Sequence, residues 1–301
     1  GVIGKDLLGI ADGNFIIKSG TDGMKSTDDK DTTKGNIIIA GGTFKIEAAS
    51  DGIQAENILD IQNGTFDITT GNGSAAVDMK SGDSGAMGGM GTMGVPGQNG
   101  SAGTSASSAS ISSDTDSVSM KGLKASNAIY ICGGTITLDT EDDGIHSNDS
   151  ITIESGNISI RSGDDGVHAD DNLQVDGGTI AIKKCYEGLE GLQITLNNGD
   201  ISIVASDDGI NAADSSSSSG MGMGGFGGGQ ASSSDSSVLL TINGGNIFVN
   251  AGGDGLDSNG NIVMNGGNVT VLGPTSDGDT ALDFDGAFTI NGGVLMAFGS
   301  S

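Results

Sequence analysis

The chain has 301 residues, with 39 Asp and Glu against 12 Lys and Arg, for a formal net charge of −27. That balance disfavours nucleic acid and anionic membrane as direct partners, because both recruit basic protein surface, and it favours cations or ligands reached through cations. Glycine is abundant at 56, proline scarce at 2, and tryptophan absent. With frequent β-branched residues, this reads as a turn-dense all-β protein rather than a collagenous or disordered chain. The longest apolar runs, such as 36–40, are far too short to cross a bilayer, so no membrane insertion is expected.

From its first residues, Gly1-Val2-Ile3, the chain enters a repeating pattern with no visible signal peptide, which reads as a piece of a longer, exported protein. Weak copies of an Asp-Gly corner stand at Asp22-Gly23 and Asp51-Gly52. The clearest unit runs Thr135-Ile136-Thr137-Leu138, then Glu141-Asp142-Asp143-Gly144-Ile145-His146-Ser147, then Ile151-Thr152-Ile153. It recurs as Asn157-Ile158-Ser159-Ile160, Gly163-Asp164-Asp165-Gly166-Val167-His168-Ala169 and Leu173-Gln174-Val175. The corner glycine moves from 144 to 166 to 188 to 209, steps of 22, 22 and 21, with further copies at Asp254-Gly255 and Asp277-Gly278.

A second mark, Gly-Gly, recurs at 41–42, 133–134, 177–178, 244–245, 266–267 and 292–293. Between these marks lie short runs in which Ile, Val or Leu alternates with polar residues, the period of half-buried strands. Three strands and three turns per unit of about 22 residues predict one coil of a right-handed parallel β-helix. About ten coils then stack at the strand spacing of about 4.8 Å, in a single domain over 1–301.

Two Gly/Ser/Met-rich insertions interrupt the pattern, at about 81–117 and 214–237. Alignment of Val77-Asp78-Met79 with Ile210-Asn211-Ala212 places both exits at one position, just after the acidic corner. Such segments read as flexible loops. The spacing of Met87, Met90 and Met93 matches thioether copper(I) ligands, but packing of the loop onto the rod is the expected role. Cys132 and Cys185 fall in different columns of the repeat and are expected as free thiols.

Stacked coils turn linear motifs into columns. The corner column reads Lys121, Asp143, Asp165, Glu187, Asp208, Asp254; the residue before it reads Met120, Asp142, Asp164, Tyr186, Asp207, Gly253; three residues on it reads Lys124, His146, His168, Glu190, Asn211, Asp257. Aspartate before glycine makes turns by capping local N–H groups, which accounts for single copies. The doubled acids, with a further acid three residues on, exceed what a turn requires. Like charges at this spacing raise a pKa or recruit a cation, and Ca²⁺ takes six to eight hard oxygen ligands.

Three Ca²⁺ sites between coils are therefore expected. One uses Asp164 and Asp165 with Glu187 and Glu190; a second uses Asp207 and Asp208 with Asp254 and Asp257; a third joins Asp142 and Asp143 toward Asp164. His146 and His168, stacked and outward, read equally as a contact for a softer metal or substrate and as exposed spectators.

The Asp-Asp-Gly-Ile/Val-His-Ser/Ala corners at 142–147 and 164–169, with Lys121-Gly122-Leu123-Lys124 before them and the Gly-Gly-Thr/Asn-Ile strand starts, resemble a β-helical carbohydrate-binding family of exported proteins from plant-biomass-degrading bacteria. That family is similar to calcium-dependent family-nine polysaccharide lyases. The resemblance implies an extracellular or cell-surface location, bound Ca²⁺ and a plant cell-wall polysaccharide as partner. The chain is expected to act as a monomer.

Three functions remain open at this point. A binding protein would grip an acidic, pectin-like glycan through Ca²⁺; with only Tyr130, Tyr186 and no Trp, an aromatic platform for flat cellulose is poorly supplied. A lyase would need a lysine of lowered pKa as base, with Lys121 and Lys124 as the weak candidates and Lys124, His146 and His168 as substrate contacts; surrounding carboxylates push such a pKa the wrong way. A structural surface spacer would need no glycan.

Overall fold

The computed structural model describes residues 1–78, 119–214, 237–275 and 278–300. Apart from their edges, the two insertions lie outside the described residues, together with Met87, Met90, Met93 and Asp277.

Alternating apolar residues and glycine corners produce three short strands per turn of chain. In one turn these are Leu123–Ala125, Ala128–Ile131 and Thr135–Asp139; in the next, Ile145–Ser147, Ser150–Ile153 and Asn157–Arg161. Further on, the first two strands merge into the continuous strands Val167–Val175 and Leu189–Leu196. Each strand pairs in parallel with its counterpart one turn later, as in Ile145 with Val167, Ile151 with Leu173 and Ile158 with Ile180. The third strands build a ten-stranded parallel sheet from Asn14–Ser19 to Val294–Phe298, and the first and second strands together build a 17-stranded one. The architecture is all-β and solenoid-like. Among the described residues its only helical element is the 3₁₀ turn Ser74–Ala76.

Side chains alternate inward and outward along each strand, so the core is a set of columns. One column runs Phe44, Phe66, Ile136, Ile158, Ile180, Ile201, Ile247 and Val269, all buried. At its start Phe15, Phe44 and Phe66 stack face to face, with centroids 4.9 and 4.7 Å apart. Burying each such side chain contributes roughly 1.5–3 kcal/mol, and the parallel register repeats the gain at every turn. Cys132 and Cys185 are free thiols, Cys185 buried in this core.

Both glycine marks have a steric cause. The second residue of each of the six Gly-Gly marks has positive φ, between 87° and 120° at Gly42, Gly134, Gly178, Gly245, Gly267 and Gly293, a region that a Cβ disfavours. At the acidic corner the cause is close approach: a methyl group on Gly166 would sit 2.6 Å from the Gly188 carbonyl oxygen and 2.7 Å from Ile182 Cδ1.

Two expectations are corrected. The insertions do not leave at one aligned position: Ile53–Ala55 pairs directly with Leu123–Ala125, so the first interrupts the chain before the corner, after the strand Thr65–Thr70 and the 3₁₀ turn. The second leaves after the corner, following Ile210–Ala212. Nor is Asp277-Gly278 the last corner, because the Gly255 amide bonds to the Thr280 carbonyl at 3.1 Å and Leu256 pairs with Leu282. The last corner is Thr280-Ala281, with no acid in it.

Because Gly166 meets backbone as well as a side chain, Gly166→Ala should overpack the stack and destabilise the protein by about 1–3 kcal/mol, read as a lowered urea midpoint. An unchanged midpoint would contradict this account of the corner.

Candidate functional site

The acidic corners form one continuous strip beside the first strands. Amide-to-carbonyl bonds of 2.8–3.0 Å link Gly122 to Asp143, Gly144 to Asp165, Gly166 to Glu187, Gly188 to Asp208 and Gly209 to Asp254. Three residues on, Lys124, His146, His168, Glu190, Asn211 and Asp257 stand in direct register.

Each corner aspartate divides its two oxygens between tasks. Oδ1 of Asp51 accepts from the Lys121 amide at 2.9 Å, that of Asp143 from the Asp165 amide at 3.1 Å, that of Asp165 from the Glu187 amide at 3.1 Å, and that of Asp208 from the Asp254 amide at 2.6 Å. One carboxylate oxygen thus caps the next turn. Oδ2 is left facing outward, and what it meets changes along the strip.

Toward the N-terminus it meets lysine. Lys25 lies 3.2 Å from Asp22 Oδ2 and Lys124 3.6 Å from Asp51 Oδ2. Lys121 Nζ sits 3.0 Å from Asp142 Oδ1 and 2.5 Å from Asp143 Oδ2. Burial alone would lower the Lys121 pKa, but the charges of Asp143 and Asp142 hold it well above the ordinary lysine value. Asp143 is 2% exposed. Burial would raise its pKa, yet the hydrogen bond with His146 and the charge of Lys121 hold it well below the carboxylate range.

In the middle it meets histidine. His146 Nδ1 lies 3.0 Å from Asp143 Oδ2, and His168 Nδ1 lies 3.4 Å from Asp165 Oδ2 and 3.1 Å from Glu190 Oε2. Burial would lower the His168 pKa, but the hydrogen bond to Asp165 and the Glu190 charge hold it at about 9.

Toward the C-terminus the charged neighbours among the described residues are all acids, with Asn211 and Tyr186 as neutral partners. Residues 185–301 contain 13 Asp and Glu and no Lys, Arg or His. Ligand oxygens of Glu187, Asp207 and Asp208 lie within 4.8 Å of one another, as do those of Asp254, Asp257 and Asp283. Burial, with the charges of Asp165 and Glu190, pushes Glu187 up to about 10; burial and Asp165 push Glu190 to about 8. Burial and Asp207 push Asp208 to about 8, and burial with Asp254 and Asp283 pushes Asp257 to about 7.

The expected site residues all lie on this strip, and their carboxylates converge in groups that overlap those read from the columns. Asp142, Asp143 and Asp164 do converge. Asp165 and Glu190 gather around His168; Glu187 converges with Asp207 and Asp208 while also feeling the charges of Asp165 and Glu190; Asp254 and Asp257 gather with Asp283. Asp283 was missed because the last corner lacks the Asp-Gly mark; its signal is its register with Asp257, one turn of 26 residues away. Asp170, whose Oδ1 is 3.4 Å from His168 Nε2, was missed because it lies outside the corner itself. The two lysines considered as bases are engaged, Lys121 in its ion pairs and Lys124 with Ser119 at 3.0 Å and Asp51 at 3.6 Å. Tyr186 hydrogen-bonds Asp207, while Tyr130 is exposed on the second strands.

Among known proteins, no curated protein and no solved structure matches the chain. A family profile described as carbohydrate-binding domain-containing protein matches residues 1–166, just over half of the 301, and so includes the corners at 142–143 and 164–165 but not the all-acid end of the strip. The chain belongs to the family of carbohydrate-binding domain-containing proteins.

Proposed function

We propose that this protein is an extracellular, calcium-dependent polysaccharide-binding protein, built as a right-handed parallel β-helix and specific for acidic, pectin-like glycans of the plant cell wall. The hand follows from strand twist, which makes parallel crossovers right-handed. The carrying observation is the run of paired carboxylates from Glu187 to Asp283 in a stretch of sequence that holds no basic side chain.

Carboxylates held this close stay ionised at neutral pH only with a counter-cation. Glu187, Asp207 and Asp208 offer up to six carboxylate oxygens from adjacent turns, a hard-oxygen set of the kind Ca²⁺ takes. Beside them Asn211 donates to Glu187 Oε2 at 3.0 Å while its own buried Oδ1 accepts no hydrogen bond, leaving a further oxygen available. Asp254, Asp257 and Asp283 form the second such set. A Ca²⁺ ion on an outward strip retains coordination positions for a uronate carboxylate, so two polyanions are joined through the metal.

Asp142, Asp143 and Asp164 are a poorer Ca²⁺ site, since Lys121 already occupies the space between the first two and pairs with both. A lyase reading has less support, because Lys121 and Lys124 are tied to carboxylates and a proton-abstracting base must be free.

Three outcomes follow. In a pull-down on insoluble pectic polysaccharide, the protein should bind in Ca²⁺ and be released by chelator; equal retention with chelator, or none in Ca²⁺, refutes the binding reading.

In chelator, thermal stability should fall as pH rises. Asp208, Glu190 and Asp257 ionise near 8, 8 and 7 when folded but at ordinary values of 3.8, 4.5 and 3.8 when unfolded, so the folded state binds more protons across that window. His168 adds to the same trend, its contribution present below 6.5 and lost as pH passes about 9. Saturating Ca²⁺ should flatten the fall by replacing protons, and a slope that is the same with and without Ca²⁺ contradicts this.

Lys121→Met should destabilise the chelated protein by about 3 kcal/mol, the consequence of stranding a buried charge, with partial recovery in Ca²⁺ as the ion takes the place of the ammonium. Wild-type stability in chelator would show that Lys121 is not the internal cation.

A further inference from the structure

The histidine segment of the strip differs chemically from both neighbours, and the geometry points to a separate binding site there for a borderline divalent transition metal such as Zn²⁺, held by His168, Asp165 and Glu190. The three ligand atoms lie within 4.8 Å of one another and come from two adjacent turns, with His168 and Glu190 in direct register.

His168 Nδ1 faces two carboxylate oxygens at once, Asp165 Oδ2 at 3.4 Å and Glu190 Oε2 at 3.1 Å. One N–H can point at only one of them. Ligand atoms sharing a zinc ion at about 2.0–2.2 Å from each are separated by roughly 3.0–3.5 Å, so the same separations suit a common ion without rebuilding the corner.

A second observation concerns the far side of the ring. His168 Nε2 is buried and makes no hydrogen bond, with Asp170 Oδ1 at 3.4 Å as its nearest charged neighbour. A ring whose Nδ1 is metal-bound carries its proton on Nε2, directed at a carboxylate, the outer arrangement that orients metal-ligating histidines. Asp170 is placed for that role.

The neighbouring turn offers a related group, Asp143, His146 and His168, whose ligand atoms also lie within 4.8 Å of one another, but its carboxylate is already taken. His146 Nδ1 faces Asp143 Oδ2 at 3.0 Å, and that oxygen is already bonded to Lys121, while Nε2 faces Asn148 Oδ1 at 3.0 Å. The ring centroids of His146 and His168 are 4.9 Å apart, edge to face, so His146 forms one wall of the site. An imidazole together with carboxylates selects Zn²⁺, Co²⁺ or Mn²⁺ over Ca²⁺, which takes oxygen alone. The site is thus distinct from the all-acid groups and does not depend on the glycan reading.

The test is equilibrium dialysis of the full chain against ZnCl₂ in a large excess of Ca²⁺, so that oxygen-only sites are filled. Wild type should bind close to one equivalent of Zn²⁺, and His168→Gln should weaken binding by about tenfold or more, the scale at which even supporting groups act. Substoichiometric binding, or unchanged binding in a folded His168→Gln variant, overturns the proposal. Should that variant not fold, the wild type decides by ¹⁵N NMR of its two imidazoles: a Zn²⁺-dependent shift of His168 Nδ1 supports the site, and unshifted resonances refute it. Pull-down on glycan with Ca²⁺ alone is untouched by either result, so the two readings fail separately.

Discussion

A carboxylate repeated once per turn is set about 4.8 Å from its copy, and in this protein that spacing is enforced by the core beneath it. Ile145, Val167, Leu189, Ile210 and Leu256 are fully buried in register just after the corners. The acids therefore cannot spread apart without dismantling the stack of apolar columns. Parallel register makes hydrophobic burial additive from turn to turn, and by the same geometry makes like-charge repulsion additive as well.

Much of the strip's chemistry can be understood as relief of that repulsion. One oxygen of each corner aspartate is spent on the backbone amide of the next turn, a bond that stiffens the corner and favours the ionised form. The other oxygen needs positive charge. Lysine supplies it at Asp22, Asp51 and Asp143, and the His168 imidazole at Asp165. Beyond Lys184 the sequence supplies none. There the groups at Glu187, Asp208 and Asp257 hold their protons to unusually high pH because burial and mutual charge disfavour ionisation. That end of the strip is where we propose that cations are taken from solution.

The repeat, the three strands per turn and the columns from residue 121 to 257 were legible in the sequence, because a 22-residue period and alternating apolar residues admit few other arrangements. The pairing of Lys124 with His146, His168 and Glu190 in one row came from spacing alone. The grouping of acids did not. Which carboxylates converge on one point depends on side-chain rotamers, which a column alignment does not contain. Asp283 escaped because Thr280-Ala281 replaces Asp-Gly in the last turn, and the first insertion was misaligned because Val77 resembles a strand start while following a 3₁₀ turn. In both places a local irregularity breaks the motif while the stacking continues.

The central claim is that the strip neutralises itself at one end and binds cations at the other. The most direct measurement is a crystal structure of the full chain grown in Ca²⁺, with anomalous scattering to identify the ion. The account predicts Ca²⁺ among Glu187, Asp207 and Asp208 and among Asp254, Asp257 and Asp283, with the Lys121 ammonium still seated between Asp142 and Asp143. Crystals with no ion at the first two groups, or with Ca²⁺ at Asp142 and Asp143 and Lys121 displaced, would contradict it.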